Sequence, residues 1–127
     1  MPTLIEKLGV ESGMRVWVIN APPIVTDAIR QLERIEWQDG HADADYIHLF
    51  ATHSDTLYEF LPACIEVLAD KGMLWISWPK KSAHVPGDLD RETVREIVLQ
   101  TDLVDTKVCS VDEVWSALKF LRRSRKK

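Results

Sequence analysis

The stretch ADYIHLFATHSDTLYEFLPACIEVLADKGMLWISW, residues 44–78, decides the fold class. Its first part, ADYIHLFAT, and its last part, MLWISW, are apolar on both alternating faces, which is typical of central parallel strands. Between them, apolar residues recur every three or four positions from Leu57 to Leu68, as in an amphipathic helix. The stretch therefore predicts strand, helix and strand, with a kink or split at Pro62 and a helix stop at residues 70–72.

Shorter elements precede this unit. Residues 3–8 suit a short helix ended by Gly9, and residues 14–20 (MRVWVIN) form another strand that is apolar on both faces. A short strand is expected at residues 35–38. Between these two strands lies a helix, whose apolar stripe consists of Ile24, Val25, Ala28, Ile29 and Leu32.

The unit is followed by a helix and a hairpin. After a polar loop at residues 79–87, Asp88 or Asp90 is expected to cap a helix with the apolar stripe Val94, Ile97 and Val98. Residues 103–110 and 115–122 then form two strands. The link between these strands is too short for a crossover helix, so they must pair as an antiparallel hairpin.

These elements predict an α/β fold with three layers. The sheet is doubly wound and mostly parallel, with about six strands in the order 2-1-3-4-6-5 and only the last strand antiparallel to its neighbours. The whole chain, residues 1–127, is expected to form a single Rossmann-like domain. Residues 122–127 form a basic tail that we expect to be disordered.

Three motifs carry a resemblance to known proteins. SGMRVWVINAPP (12–23), GMLWISWPKK (72–81) and TKVCSVDEVWSALKF (106–120) resemble a small bacterial family of unknown function. That family has a degenerate class I methyltransferase fold, and residues 44–78 are similar to the middle of the methyltransferase superfamily. The resemblance implies a Rossmann-like fold that ends in an antiparallel strand pair, and it implies no assigned activity.

Composition narrows the function classes. The net charge is −4, although five of the 16 basic residues lie in the last six positions, so the rest of the chain is more acidic than the whole. Such a body repels phosphate backbones and argues against nucleic-acid binding outside the tail. Neither a secretory signal nor a membrane-spanning stretch is visible, and Cys64 and Cys109 resemble buried, reduced thiols. We therefore expect a cytoplasmic protein without membrane contact.

The usual nucleotide site of Rossmann-like folds is altered in this chain. The turn after the first strand is Asn20-Ala21-Pro22-Pro23, without the glycines that let backbone N–H groups approach a cofactor. Two prolines also remove two donors. The turn therefore predicts that no cofactor binds there, although Asn20 remains a candidate contact and Asp39 has the spacing of a ribose-binding acid.

Two polar groups suggest chemistry but have simpler explanations. His41, Asp43 and Asp45 alternate like metal ligands, yet they lie in a polar loop where such residues are usually solvated. His48 sits mid-strand, as a hydrogen-bonded core histidine would. Ser77 lacks a nucleophile motif, so a hydrolase is poorly supported.

The strongest candidate site is the loop containing Trp78, Pro79, Lys80 and Lys81. It leaves the carboxyl end of a parallel strand, where open α/β sheets bind ligands. It offers an aromatic ring and two cations, which suit a carboxylate or phosphate. The alternative is that Trp78 caps the core and the lysines are solvated.

A second cluster on the hairpin consists of Asp112, Glu113 and Trp115, for which the stronger explanation is structural: polar turn residues followed by a packed ring. We therefore expect a non-catalytic binding or regulatory module on a methyltransferase-like scaffold, acting on an unknown protein or a small anionic ligand. The alternative is an S-adenosylmethionine-dependent methyltransferase with an altered cofactor loop. A third possibility is a subunit that only assembles with another chain, including a homo-oligomer.

Overall fold

A computed structural model of the chain describes residues 3–123. In chain order, the elements are α1 (Leu4–Leu8), β1 (Arg15–Ile19), α2 (Pro23–Arg30), β2 (Glu36–Trp37), β3 (Ala44–Phe50), α3 (Ser54–Val67), β4 (Leu68–Pro79), a 3-10 turn (Lys81–Ala83), α4 (Arg91–Leu99), β5 (Leu103–Ser110) and β6 (Trp115–Arg122).

The six strands form one sheet in the order β2-β1-β3-β4-β6-β5. Strands β1 to β4 pair in parallel, and β6 is antiparallel to both β4 and β5. The predicted strand order and the direction of the last strand are therefore confirmed. Strands β1, β3, β4 and β5 consequently end on the same side of the sheet, which we call the upper edge.

Helices cover both faces of this sheet. Helices α3 and α4 bury one apolar cluster, which includes Leu57, Val94 and Trp78. Helices α1 and α2 bury a second cluster with Trp75 and Tyr46 on the opposite face. Two covered faces explain why β3 and β4 are apolar at nearly every position.

Helix α3 differs from its prediction at both Pro62 and its end. It is one continuous helix from Ser54 to Val67, so of the kink or split expected at Pro62 the split does not occur. Pro62 lies on the exposed face, as does Tyr58, whose carbonyl loses its intrahelical partner and can be hydrated instead. The helix also ends before the expected stop at residues 70–72, because Leu68 already pairs with Ala44 of β3.

The end of α3 is held by the last strand. The Arg122 guanidinium donates hydrogen bonds to the carbonyl oxygens of Ile65, at 2.6 Å, and of Leu68. Carbonyls at a helix end lack intrahelical donors, and a cation there also complements the helix dipole. Arg122, which the sequence assigned both to the last strand and to the basic tail, thus belongs to β6, whereas residues 124–127 lie outside the described residues.

The predicted apolar stripe of α2 is only partly buried. Val25 and Ile29 are fully buried, but Ile24 is 46% exposed, because it lies about 100° around the helix from Val25, at the margin of the stripe. The strand β2 is also shorter than predicted. The chain then crosses from β2 to β3 over Trp17, where Gly40 adopts φ +96° and a Cβ would lie 2.9 Å from the indole ring.

Three remaining expectations concern thiols and membranes. Cys64 is buried, and burial raises the pKa of its thiol to about 12. Cys109 is only half-buried, contrary to expectation, because it lies on the outermost strand. Among residues 3–123, no helix has the length and apolarity that crossing a membrane requires.

Candidate ligand-binding groove

A groove opens at the upper edge between the end of β4 and the start of α4. Its volume is about 400 Å³, within the range of about 300–1,000 Å³ that is typical of ligand sites. The four residues of the predicted loop, Trp78, Pro79, Lys80 and Lys81, all line it. The start of α4 and the strands β5 and β6 supply the other lining residues: Leu89, Asp90, Arg91, Glu92, Val108 and Ser116.

The aromatic floor of the groove is fixed by the sheet. Trp78 is 5% exposed and packs in the cluster beneath α3 and α4. Pro79 was expected to turn the chain outward, but it continues β4, opposite Trp115 of β6. At this level β3 has already ended, so β4 pairs on one side only and the missing proline N–H breaks no ladder bond.

The two lysines of the loop differ from each other. The ammonium of Lys80 donates to Ser110 Oγ and to the Asp112 carbonyl, both at 2.6 Å, so the hairpin holds it in place. Lys81 is exposed at the start of the 3-10 turn. The sequence offered both lysines as cations for an anion, with solvated lysines as the alternative. Both line the groove, and its hairpin contacts show that Lys80 is not simply solvated, so one fixed cation and one exposed cation border the groove.

The start of α4 supplies charge of both signs. Asp90 caps the helix by accepting the Thr93 N–H at 2.8 Å, which resolves the two predicted capping residues in favour of Asp90. That hydrogen bond, and more weakly the charge of Lys81, lower the pKa of the Asp90 carboxyl. Arg91 is exposed, with its Nε 4.0 Å from Glu92. Asp90 is therefore committed to the helix, whereas Arg91 can reach a ligand.

The hairpin cluster proves to be mainly structural. Asp112 Oδ1 accepts the N–H groups of Val114 and Trp115, each at 2.8 Å, and so shapes the turn. The Trp115 ring packs edge-on against Phe50, with 5.2 Å between centroids. Glu113 is exposed. The simpler explanation, polar turn residues followed by a packed ring, thus holds for Asp112 and Trp115.

The turn after β1 is built around its prolines. Asn20 has φ +59° and donates to the Phe50 carbonyl at 3.4 Å. Pro22 precedes α2 and Pro23 is its first residue, as predicted. The N–H groups of Val25 and Thr26 both donate to the Pro22 carbonyl, at 3.0 and 3.4 Å. Since the prolines have no N–H, the first turn offers few backbone donors to a ligand.

The loop between β4 and α4 contacts the start of α3 and covers the end of β3. The sequence did not predict these contacts. Asp88 accepts the backbone N–H and the hydroxyl of Ser54, at 2.7 and 2.8 Å, and therefore caps α3 rather than α4. Gly87 approaches so closely that a Cβ would lie 2.1 Å from the Thr52 carbonyl oxygen. Ser54 and Asp88 are 34 residues apart, so no local pattern links them.

A buried polar chain joins β3 and β4 beneath this edge. His48 Nδ1 lies 2.7 Å from the Tyr46 hydroxyl, and Nε2 lies 2.7 Å from Ser77 Oγ. His48 and Ser77 are both 0% exposed, and burial lowers the pKa of His48 to about 3. His48 is therefore the hydrogen-bonded core histidine that the sequence predicted, neutral at ordinary pH.

The alternating polar residues at the start of β3 and just before it contact different partners. Asp45 forms a two-pronged ion pair with Arg15, at 2.9 and 3.1 Å, which lowers the pKa of its carboxyl. His41 instead contacts Asp39 at 2.9 Å. Within the described part of the chain, no group of three or more potential ligands is positioned to hold a metal ion.

The comparisons with known proteins support the fold. Neither a protein-family profile nor a curated protein matches the sequence. Among solved structures, ribosomal protein L11 methylase from Lactobacillus delbrueckii subsp. bulgaricus is similar, with a TM-score of 0.62 and 12% identity over 95% of this chain and 76% of that one. The B. subtilis tRNA methyltransferase TrmK gives a TM-score of 0.54 and 12% identity, over 94% and 64% of the two chains.

A complex of LepI with SAM (S-adenosylmethionine) is also similar, with a TM-score of 0.56 and 16% identity, over 94% of this chain and 39% of LepI. This chain thus spans less than two thirds of TrmK and of LepI. These likenesses establish a class I methyltransferase-like Rossmann fold. The resemblance to a small bacterial family stays a prediction.

The residues at the end of β1 do not fit the cofactor that this fold suggests. The turn from Asn20 to Pro23 contains no glycine, and α2 presents few backbone donors, as described above. Asp39, which has the spacing of a ribose-binding acid, is exposed and hydrogen-bonded to His41. S-adenosylmethionine would therefore lack both the close backbone approach and the paired acid that such sites use.

Proposed function

We propose that the chain is a non-catalytic binding module that holds a small anionic ligand, or an acidic segment of a partner protein, in the groove beside Trp78. The observation that supports this most is the coincidence of three features at one place. A groove of about 400 Å³ lies at the upper edge, its floor is aromatic, and Lys80, Lys81 and Arg91 border it.

The charge balance favours an anion. The chain has a net charge of −4, so a cluster of three cations stands out against an acidic body and attracts anions locally. The two nearby acids compete little: Asp90 is committed to the α4 cap, and Glu92 lies beside Arg91. Trp78, Leu89 and Val108 favour a ligand with an apolar part next to its charge.

Benzoate is a suitable first probe, because it combines a carboxylate with an apolar ring. In an NMR titration at low salt, we expect the Trp78 indole and the backbone amides of residues 80–92 to shift. The variant Lys81→Ala/Arg91→Ala should weaken binding about three- to tenfold at low salt, and added salt should narrow the difference. Lys71→Ala/Arg30→Ala, exposed cations elsewhere, is the matched control. Chemical-shift changes confined to residues outside the groove would refute the proposal.

The second candidate is an S-adenosylmethionine-dependent methyltransferase with an altered cofactor loop. The fold likeness to methyltransferases, and to a complex with SAM, favours it. Calorimetric titration with S-adenosylmethionine and S-adenosylhomocysteine separates the two candidates. Because the turn after β1 offers few donors, we expect no measurable heat up to millimolar ligand. Micromolar binding of either compound would favour the methyltransferase over the non-catalytic binding module.

A further inference from the structure

We infer that the upper end of β5 binds the free carboxyl terminus of an extended peptide, which adds to the sheet beside β5 and places its carboxylate between Lys7 and Lys80. This inference rests on the proposed function and names the partner's chemistry. The segment Lys107–Ser110 together with the two ammonium groups is called the β5 site below.

Two ammonium groups from distant parts of the chain converge on Ser110. Lys7, in the last turn of α1, donates to the Ser110 carbonyl at 3.0 Å, and Lys80 donates to Ser110 Oγ at 2.6 Å. An ammonium has three N–H donors. The hydrogen bonds described use one donor of Lys7 and two of Lys80, so both lysines can also donate to an anion.

Strand β5 is the outermost strand of the sheet, with β6 on one side. In an antiparallel pair, alternate residues direct their N–H and C=O groups away from the partner, so β5 presents backbone groups to an added strand. A bulge between Asp105 and Lys107 interrupts the regular geometry, with Thr106 bonded to the Lys119 carbonyl. The bulge thus divides the edge of β5 into two parts, and the upper part, Lys107–Ser110, lies next to the two ammonium groups.

The spacing suits a peptide that ends there. An added strand lies about 4.8 Å from its neighbour, so a carboxylate beside Ser110 comes within a few ångströms of the Lys80 ammonium. A side chain next to Val108, which is 49% exposed, would enter the groove over Trp78. A backbone carries a negative charge only at its carboxyl terminus, which is why two converging cations at a strand end favour a terminal peptide.

The test uses peptides of about ten residues, immobilised by their amino termini, with the last four positions varied and the carboxyl terminus free. The tightest peptide is then measured by fluorescence anisotropy as its free acid and as its amide. We expect amidation to weaken binding about tenfold or more, since a charge-assisted hydrogen bond contributes at least that much. Lys7→Ala should cause a similar loss, and Lys71→Ala should cause none.

The amide comparison leaves the protein unchanged, so a folding defect in Lys7→Ala cannot imitate its result. If the amide binds as tightly as the acid, or if no peptide binds better than about millimolar, the inference is overturned. The benzoate titration decides the proposed function separately, because it depends on Lys81 and Arg91 rather than on Lys7. Failure of the β5 site and failure of the groove are thus distinguishable.

Discussion

The ends of β1 and β4 lie on the same edge of one sheet, yet they present opposite surfaces. After β1, the chain turns through Asn20 into a proline-capped helix whose first donors are used internally. At the end of β4, Trp78 forms the floor of a groove that is bordered by cations. The first end is where Rossmann-like folds usually bind a nucleotide, and the second is where this chain offers open space and charge.

The difference shows that the fold supplies an edge, and that local residues decide which strand end can bind. Proline illustrates the point at both ends. Pro22 and Pro23 remove donors where a cofactor would need them, whereas Pro79 lies where β4 has no partner on one side and nothing is lost. Substitutions at Trp78, Asn20, Asp90 and the two lysines test this contrast.

Removing the floor of the groove should have the largest effect. Trp78 is buried, so Trp78→Ala should lower the free energy of unfolding by about 3–5 kcal/mol, measured by urea denaturation. Trp78→Phe, which retains most of the apolar volume, should lower it clearly less. A loss below about 1 kcal/mol for the alanine variant would mean that Trp78 is not part of the packed core.

The turn after β1 should respond to backbone conformation. Asn20 has φ +59°, a region that alanine disfavours by about 1–2 kcal/mol, so Asn20→Ala should destabilise the protein by roughly that amount. Asn20→Gly should be nearly neutral, because glycine adopts this conformation readily. Thermal and urea unfolding compare the two variants. Equal losses would instead assign the effect to the hydrogen bond with Phe50.

The two helices at this edge should differ in their dependence on acid. The pKa of Asp90 is lowered in the folded state, so its contribution is complete above the unfolded pKa and fades as the pH falls below about 4. At neutral pH, Asp90→Ala should cost about 1 kcal/mol as a lost cap. Helix α2 has no side-chain cap to lose. Urea midpoints from pH 7 to 3 should converge for Asp90→Ala and the parent; a constant gap would contradict the assignment.

The two lysines should differ by the smallest margin. Lys80→Ala removes two hydrogen bonds to the hairpin and should cost about 0.5–1.5 kcal/mol. Lys81→Ala should change stability by less than about 0.5 kcal/mol, as exposed substitutions usually do. Each serves as the control for the other in the same denaturation experiment. Equal values would mean that the hairpin contacts of Lys80 add no stability.

The sequence predicted the strands well because their signal is local. Apolar residues on both faces marked β1, β3 and β4, and a link of four residues required β5 and β6 to pair as a hairpin. Periodicity also placed Ile24 on the buried stripe of α2, but it could not show that the strip actually buried is narrower than the apolar stripe. Burial depends on what lies opposite a residue, and that is set by the assembled layers.

The candidate site was predicted by position and missed in its contacts. Trp78 to Lys81 follow a central strand, so their place at the upper edge was foreseeable. The anchoring of Lys80 on Ser110 links residues 30 apart, and Lys7 reaches Ser110 across 103 residues. Such pairings arise from the packing of α1 against the sheet and from the position of the hairpin within the sheet. No spacing rule within a single segment encodes them.

The position of β6 between β4 and β5 has a consequence for synthesis. On the ribosome, β4 and β5 emerge before the strand that must lie between them. Until β6 is synthesised, the edges of β4 and β5 that pair with it are unpaired, and the carbonyls at the end of α3 lack the hydrogen bonds from Arg122. Until β6 has emerged, these unpaired edges therefore leave a nascent chain open to misassociation with other strands.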